Sequence, residues 1–118
     1  MRGDLGGDGT NEVIVVVERL TDPEGPVAGP GDYSVVFMRR IVAGELRTFV
    51  VAQSIADSRA GDTRFVQAHH LDALADLNGD GRMEVVVGYR YYEGAGTAVY
   101  EVAPDGGLVQ VLYRGCGV

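Results

Sequence analysis

Nine consecutive residues, Asp76-Leu77-Asn78-Gly79-Asp80-Gly81-Arg82-Met83-Glu84, put oxygen-bearing side chains at the first, third, fifth and ninth places. In a tight loop, alternate side chains converge on one point. Three carboxylates and an amide oxygen make a hard, all-oxygen donor set. That set suits calcium, which takes about six to eight oxygen ligands at about 2.3–2.6 Å. Gly81 allows the sharp turn, which needs positive φ. Asp76, Asn78 and Asp80 are the expected side-chain ligands. The carbonyl of Arg82 follows, and Glu84 closes the site through one oxygen or both. The loop is not an EF-hand. That motif has a Glu at the twelfth place and a helix behind it, whereas Val87 stands there, within strand-forming Val85-Val86-Val87.

A second copy precedes it. Asp4-Leu5-Gly6-Gly7-Asp8-Gly9-Thr10-Asn11-Glu12-Val13-Ile14-Val15-Val16 aligns with Asp76 onward at an offset of 72 residues. Asp4, Asp8, the Thr10 carbonyl and Glu12 are its candidate ligands. Gly6 replaces Asn78 and brings no side chain, so calcium is expected to bind more weakly here, with water filling the gap.

The string Asp-Leu-Asn-Gly-Asp-Gly-x-x-Glu-Val-Val-Val resembles the FG-GAP and VCBS type repeats, which are related to the calcium-bearing blades of integrin α-subunit propellers. The resemblance covers both loops with their following strands, and the rest by strand count. It implies that each repeat is one four-stranded blade whose loop bridges the first two strands. It assigns ligand roles to Asp76, Asn78, Asp80, Arg82 (backbone) and Glu84, and in the degraded copy to Asp4, Asp8, Thr10 (backbone) and Glu12. The usual last ligand of that family is Asp, so Glu84 and Glu12 depart from it. A further departure is blade number: propellers close with about four blades or more, and fewer than two complete ones are legible here.

The elements that must hold these loops read as strands. Glycine supplies 18 of 118 residues, which disfavours helices and serves turns, while Val, Tyr, Phe, Ile and Thr favour strands. The expected fold is all-β: about two antiparallel four-stranded propeller-type blades, the first lacking its opening strand because only Met1 to Gly3 precede Asp4. The chain reads as a single repeat region over 1–118, with repeat 1 at about 1–54, a polar connection at 55–64 and repeat 2 at about 65–118. Expected strands are Glu12 to Glu18, Tyr33 to Ile41, Leu46 to Ser54, Phe65 to Ala75, Glu84 to Glu93, Thr97 to Val102 and Leu108 to Tyr113. Turns are expected at Ala43-Gly44-Glu45, Gly94-Ala95-Gly96 and Pro104-Asp105-Gly106-Gly107. Leu20 to Asp32, with Pro23, Pro26 and Pro30, reads as a turn-rich insertion. Leu71, Leu74 and Ala75 have helical spacing, but the repeat demands a strand there. The apolar runs Val13 to Val17, Val35 to Met38 and Val85 to Val87 predict sheets covered on both faces.

The formal net charge of −7 repels phosphate backbones and anionic lipid, so neither nucleic acid nor a membrane surface is an expected partner. No run reaches the length of a membrane span, and Met1 to Gly6 is not a signal segment. The parent protein is expected to be extracellular or in the cell envelope, with this chain as its end.

Other motifs have plainer readings. Arg2-Gly3-Asp4 spells the tripeptide that integrins recognise, but Asp4 already serves the loop. His69 and His70 point to opposite faces of a strand and cannot easily grip one ion. Cys116, alone in a Gly-Cys-Gly tail, has no disulfide partner within the chain. Tyr89, Tyr91, Tyr92 and Tyr100 form an aromatic cluster, either packed core or a face for carbohydrate or protein. Paired acids can hydrolyse glycosides across a cleft, yet here they point into one loop. No active site is expected. The reading is a non-catalytic calcium-binding repeat module that contacts protein or glycan and self-associates through the unpaired edge of Glu12 to Glu18. The rival readings are an accessory part of a calcium-dependent polysaccharide-acting enzyme and a purely structural calcium-loaded domain.

Overall fold

The computed structural model describes residues 1–22, 28–56 and 66–117. Among them lie eight strands and no helix: β1 (Arg2–Gly3), β2 (Glu12–Arg19), β3 (Tyr33–Val42), β4 (Glu45–Ile55), β5 (Ala68–Ala75), β6 (Glu84–Tyr91), β7 (Gly94–Val102) and β8 (Leu108–Gly117). They make two four-stranded antiparallel sheets in chain order, β1-β2-β3-β4 and β5-β6-β7-β8. The fold is all-β, with two sheets of the propeller-blade type. No helix is long and apolar enough to cross a membrane.

Local chemistry accounts for most of the elements. Val13 to Val17 is β-branched throughout and pairs with β3 from Val13↔Arg39 to Arg19↔Tyr33. The β3–β4 hairpin turns at Ala43 and Gly44, whose φ values of 51° and 80° fit a two-residue turn that matches the strand twist. β5 forms despite its helical spacing: it pairs with β6 along its length, and Asp72 bulges between Leu71 and Ala73.

Four expectations need correction. The first blade does have an opening strand, cut to a stub: Arg2 pairs with Val13 and Gly3 with Glu12. The Met1 amine donates to the Ile14 carbonyl at 2.8 Å. Gly94-Ala95-Gly96 is not a turn; it opens β7, and the turn is Tyr92-Glu93. Those glycines give room rather than bend, since a Cβ at Gly96 would collide with the Tyr89 ring and the Arg114 carbonyl. Cys116 is not in a loose tail but in β8, paired with Ala95 and exposed. Among the described residues the first sheet is fully covered on one face only, as the alternating burial at Glu12, Val13 and Ile14 of β2 records. Pro23, Pro26 and most of the connection at 55–64 lie outside the described residues.

The core lies between the sheets. Leu5, Ile14, Val36 and Met38 of the first unit meet Val85, Val87, Ala98 and Tyr100 of the second. The repeat lets equivalent positions be compared. Val13 and Val17 are 38% and 39% exposed, whereas their counterparts Val85 and Tyr89 are 0% and 7% exposed. Leu5 is 0% exposed and its counterpart Leu77 59%. Each difference has one cause: the first unit has the second seated on one of its faces, and among the described residues nothing seals the other ends of the pair. Leu5→Ala is therefore expected to cost about 2–5 kcal/mol, the range for emptying a fully buried leucine site, read as a lowered urea midpoint.

Candidate metal centre

The second loop joins β5 to β6. Its backbone turns twice through positive φ, at Gly79 (78°) and Gly81 (86°), which glycine adopts without a Cβ penalty. Asp76 organises the turn. Its Oδ1 accepts from the amides of Gly79 (2.7 Å) and Asp80 (3.1 Å), and its Oδ2 from that of Gly81 (2.9 Å). Asp80 Oδ1 accepts from the Arg82 amide at 2.8 Å. From the first residue of β6, buried Glu84 reaches back, and its Oε2 accepts from the Leu77 amide at 2.6 Å.

These bonds bring Asp76, Asp80 and Glu84 together, one oxygen of each lying within 4.8 Å of the others. Among the described residues this is the one such grouping of three potential ligand side chains. Two are exposed and one is buried, so the cluster opens to solvent above a fixed floor. Three like charges so close repel, and a divalent cation would relieve them. The donor set is all oxygen, as calcium requires. Glu84 has one oxygen engaged by Leu77, so the monodentate closure is the one that leaves the loop intact. Asn78 is turned to the backbone: its Oδ1 accepts from the Asp80 amide at 3.0 Å, and its Nδ2 donates to Glu101 Oε1 at 3.4 Å. The amide of Arg82 belongs to the same turn. Glu101 on β7 is a further acid at this site that loop spacing could not supply; the two-residue β6–β7 turn sets the register that places it there.

The first loop repeats the framework. Asp4 accepts from the Asp8 amide (3.0 Å) and the Gly9 amide (2.7 Å), Asp8 from the Thr10 amide (2.8 Å), and Glu12 Oε2 from the Leu5 amide (2.8 Å). Asp4, Asp8 and Glu12 do not form a comparable three-acid grouping, and a guanidinium stands beside them. Arg40 Nη2 lies 3.6 Å from Glu12 Oε1 and 3.8 Å from Asp8 Oδ2. Sequence reading missed Arg40 because it comes from β3, beyond the long insertion. The two loops also touch: the Met83 amide donates to the Leu5 carbonyl at 3.1 Å. A Cβ at Gly7 would meet the Gly81 carbonyl at 2.9 Å.

The remaining candidates sit elsewhere. Asp4 is turned into its loop, so Arg2-Gly3-Asp4 is not displayed as a tripeptide. His69 is buried; its amide donates to Ser34 Oγ at 2.9 Å, and burial holds its pKa below the usual value. His70, on the opposite side, is exposed and lies 3.1 Å from Asp72. The aromatic cluster gains a member that the sequence did not point to, Tyr113. Tyr89 stacks with Tyr91 and Tyr113, while Tyr100 packs in the intersheet core and Tyr92 is at the turn. The Tyr113 hydroxyl, hydrogen-bonded to that of Tyr89, together with burial pushes the Tyr89 pKa up to about 12. Asp32, buried where the insertion rejoins β3, accepts from the Thr21 amide (2.9 Å) and hydroxyl (2.7 Å) and the Gly29 amide (2.8 Å). The Thr21 amide is the main cause of its lowered pKa.

Residues 72–101, which run from within β5 through nearly all of β7 and contain the second loop whole, match the family model of the FG-GAP repeat. No curated protein and no solved structure matches the chain. The likeness to an FG-GAP repeat thus lies within the second unit, over residues 72–101.

Proposed function

We propose that this chain, bearer of an FG-GAP repeat, is a non-catalytic calcium-binding propeller module of an exported or cell-envelope protein. The observation that supports it best is the convergence of Asp76, Asp80 and Glu84 within 4.8 Å, inside the matched segment. Asp76, Asp80 and Glu84 would hold calcium directly, with the Arg82 carbonyl and a reoriented Asn78 completing the oxygen shell. Calcium supplies positive charge that fixes the loop, and the loop fixes the join of β5 to β6. Titration calorimetry on chelator-stripped protein should give one strong calcium site. An absence of heat into the millimolar range would sink the assignment.

For contact with other molecules, two surfaces matter. One is a cleft between the sheets of about 240 Å³, lined in part by Gln53, Gln67, His69, Tyr89, Tyr100 and Tyr113. Aromatic rings beside amide groups are the chemistry that stacks on and hydrogen-bonds a sugar, so a glycan is the ligand class it suits. The same cleft is what an accessory part of a polysaccharide-acting enzyme would use, which keeps that reading as the alternative.

The other surface is the pair of open sheet faces. Within the chain, the row Val87-Ala98-Tyr113 lies on the face that turns to the first unit, and the row Ile14-Met38-Phe49 on the face that receives it. Each row has a counterpart on the far face that ends in an exposed side chain: Val15-Phe37-Val50 on the first sheet and Val86-Val99-Leu112 on the second, with Val50 and Leu112 exposed. These two far faces therefore repeat the two halves of an interface already formed once. The occupant we assign to them is a second copy of the chain, docked head to tail. The expected association thus runs through sheet faces, with the stub β1 blunting part of the β2 edge.

A further inference from the structure

Arg40 sits where the first loop would need a cation. Glu12 is fully buried, and its Oε1 has no hydrogen-bond donor among the described residues. A buried carboxylate without a countercharge is strongly unfavourable. The Arg40 guanidinium, 3.6 Å from that oxygen and 3.8 Å from Asp8, is the countercharge. It is held in place from the other unit, because its Nη1 donates to the Gly106 carbonyl at 3.3 Å.

The second copy shows what this residue replaces. On β3, Arg39 pairs with Val13, so Arg40 stands opposite Glu12. On β7, Tyr100 pairs with the equivalent Val85, so Glu101 stands opposite Glu84. One copy thus has a guanidinium where the other has a carboxylate. The loop residues change in the same sense: Asn78, a candidate ligand, corresponds to Gly6, which has no donor side chain. A ligand is lost and a cation is gained, both in one copy, while the four amide bonds to Asp4, Asp8 and Glu12 persist.

We propose that Arg40 is the built-in cation of the first loop, so that this loop keeps its shape without metal and the chain takes up a single calcium ion, at the second. The count of one ion rests on the calcium reading above; the role of Arg40 in loop 1 does not. An arginine is always charged and cannot leave, so the first loop is permanently loaded and only the second responds to calcium concentration.

Two measurements on the whole chain test this. In calorimetric titration, Arg40→Ser should raise the stoichiometry from one calcium to two, and Arg40→Lys, which keeps the charge, should leave it at one. Two ions of similar affinity in the unaltered chain would overturn the proposal. Amide hydrogen exchange in chelator gives a readout independent of calcium. In the unaltered chain, the Asp8, Gly9 and Thr10 amides should stay protected while those of Asp80, Gly81 and Arg82 lose protection. In Arg40→Ser the first set should exchange at least about tenfold faster. Unchanged exchange there would refute the role of Arg40 even if the chain bound no calcium at all; a chain that binds none but shows the Arg40 effect would refute only the calcium reading.

Discussion

A charge on either open sheet face will reduce the chain to monomers. Val50→Glu is expected to weaken self-association about a hundredfold or more, because a carboxylate would be stranded in an apolar contact. Val50 is exposed in the isolated unit, so its fold should change by no more than about 0.5 kcal/mol. Leu112→Glu, on the exposed side of β8, should act in the same way on the complementary face. The decisive arm is the mixture. A head-to-tail interface is heterologous, with a different surface on each side. Val50→Glu leaves one half intact and Leu112→Glu the other, so equal amounts of the two should combine into heterodimers and stop there. Sedimentation velocity reads each case. An unaltered chain that remains a monodisperse monomer at high concentration, with the amides of Val13 to Val17 protected from exchange, would show that the faces close on themselves.

Calcium will raise the melting temperature through the second loop alone. A ligand that binds only the native state, at a hundredfold excess over its dissociation constant, stabilises it by about 2.7 kcal/mol. For a domain of this size that is a rise of about 10 °C. Asp80→Ala removes one of the three converging carboxylates and should abolish the rise. Asp8→Ala should lower the melting point in chelator, since Thr10 and Arg40 lose a partner, yet leave the calcium-induced rise intact. Differential scanning calorimetry with calcium and with chelator separates the two. Equal loss of the rise in both variants would place an ion in the first loop as well.

Much of this architecture was legible because the repeat states it twice. The loop at Asp76 to Glu84 could be read from spacing, since oxygen side chains two residues apart meet only in a turn with glycine at Gly79 and Gly81. The repeat also decided β5, where Leu71, Leu74 and Ala75 alone would have argued for a helix. What failed was information that lives between strands. Gly94 and Gly96 look like turn residues along the chain; their reason for being glycine is the close approach of the β8 backbone and of tyrosines from β6, Tyr91 at Gly94 and Tyr89 at Gly96. Tyr113 was missed as a stacking partner, because cross-strand register is not visible in order along the chain. Arg40 was missed for the same cause, made worse by the long β2–β3 connection that shifts one copy against the other. The open face of the first sheet was misjudged because Val13 to Val17 is as apolar as a strand buried on both sides. Its composition records the covering it is built for, and its exposure records what this chain supplies.

The bond from the Met83 amide to the Leu5 carbonyl gives the pair of loops a direction. Met83 lies between Arg82 and Glu84, in the segment that calcium would tighten, and it clasps the loop before its own. An ion in the second loop would therefore bear on the joint between the two units as well as on its own turn. In a row of such units, where stability is a sum of nearest-neighbour terms, each bound ion would act as a rivet at the seam its loop shares with its neighbour.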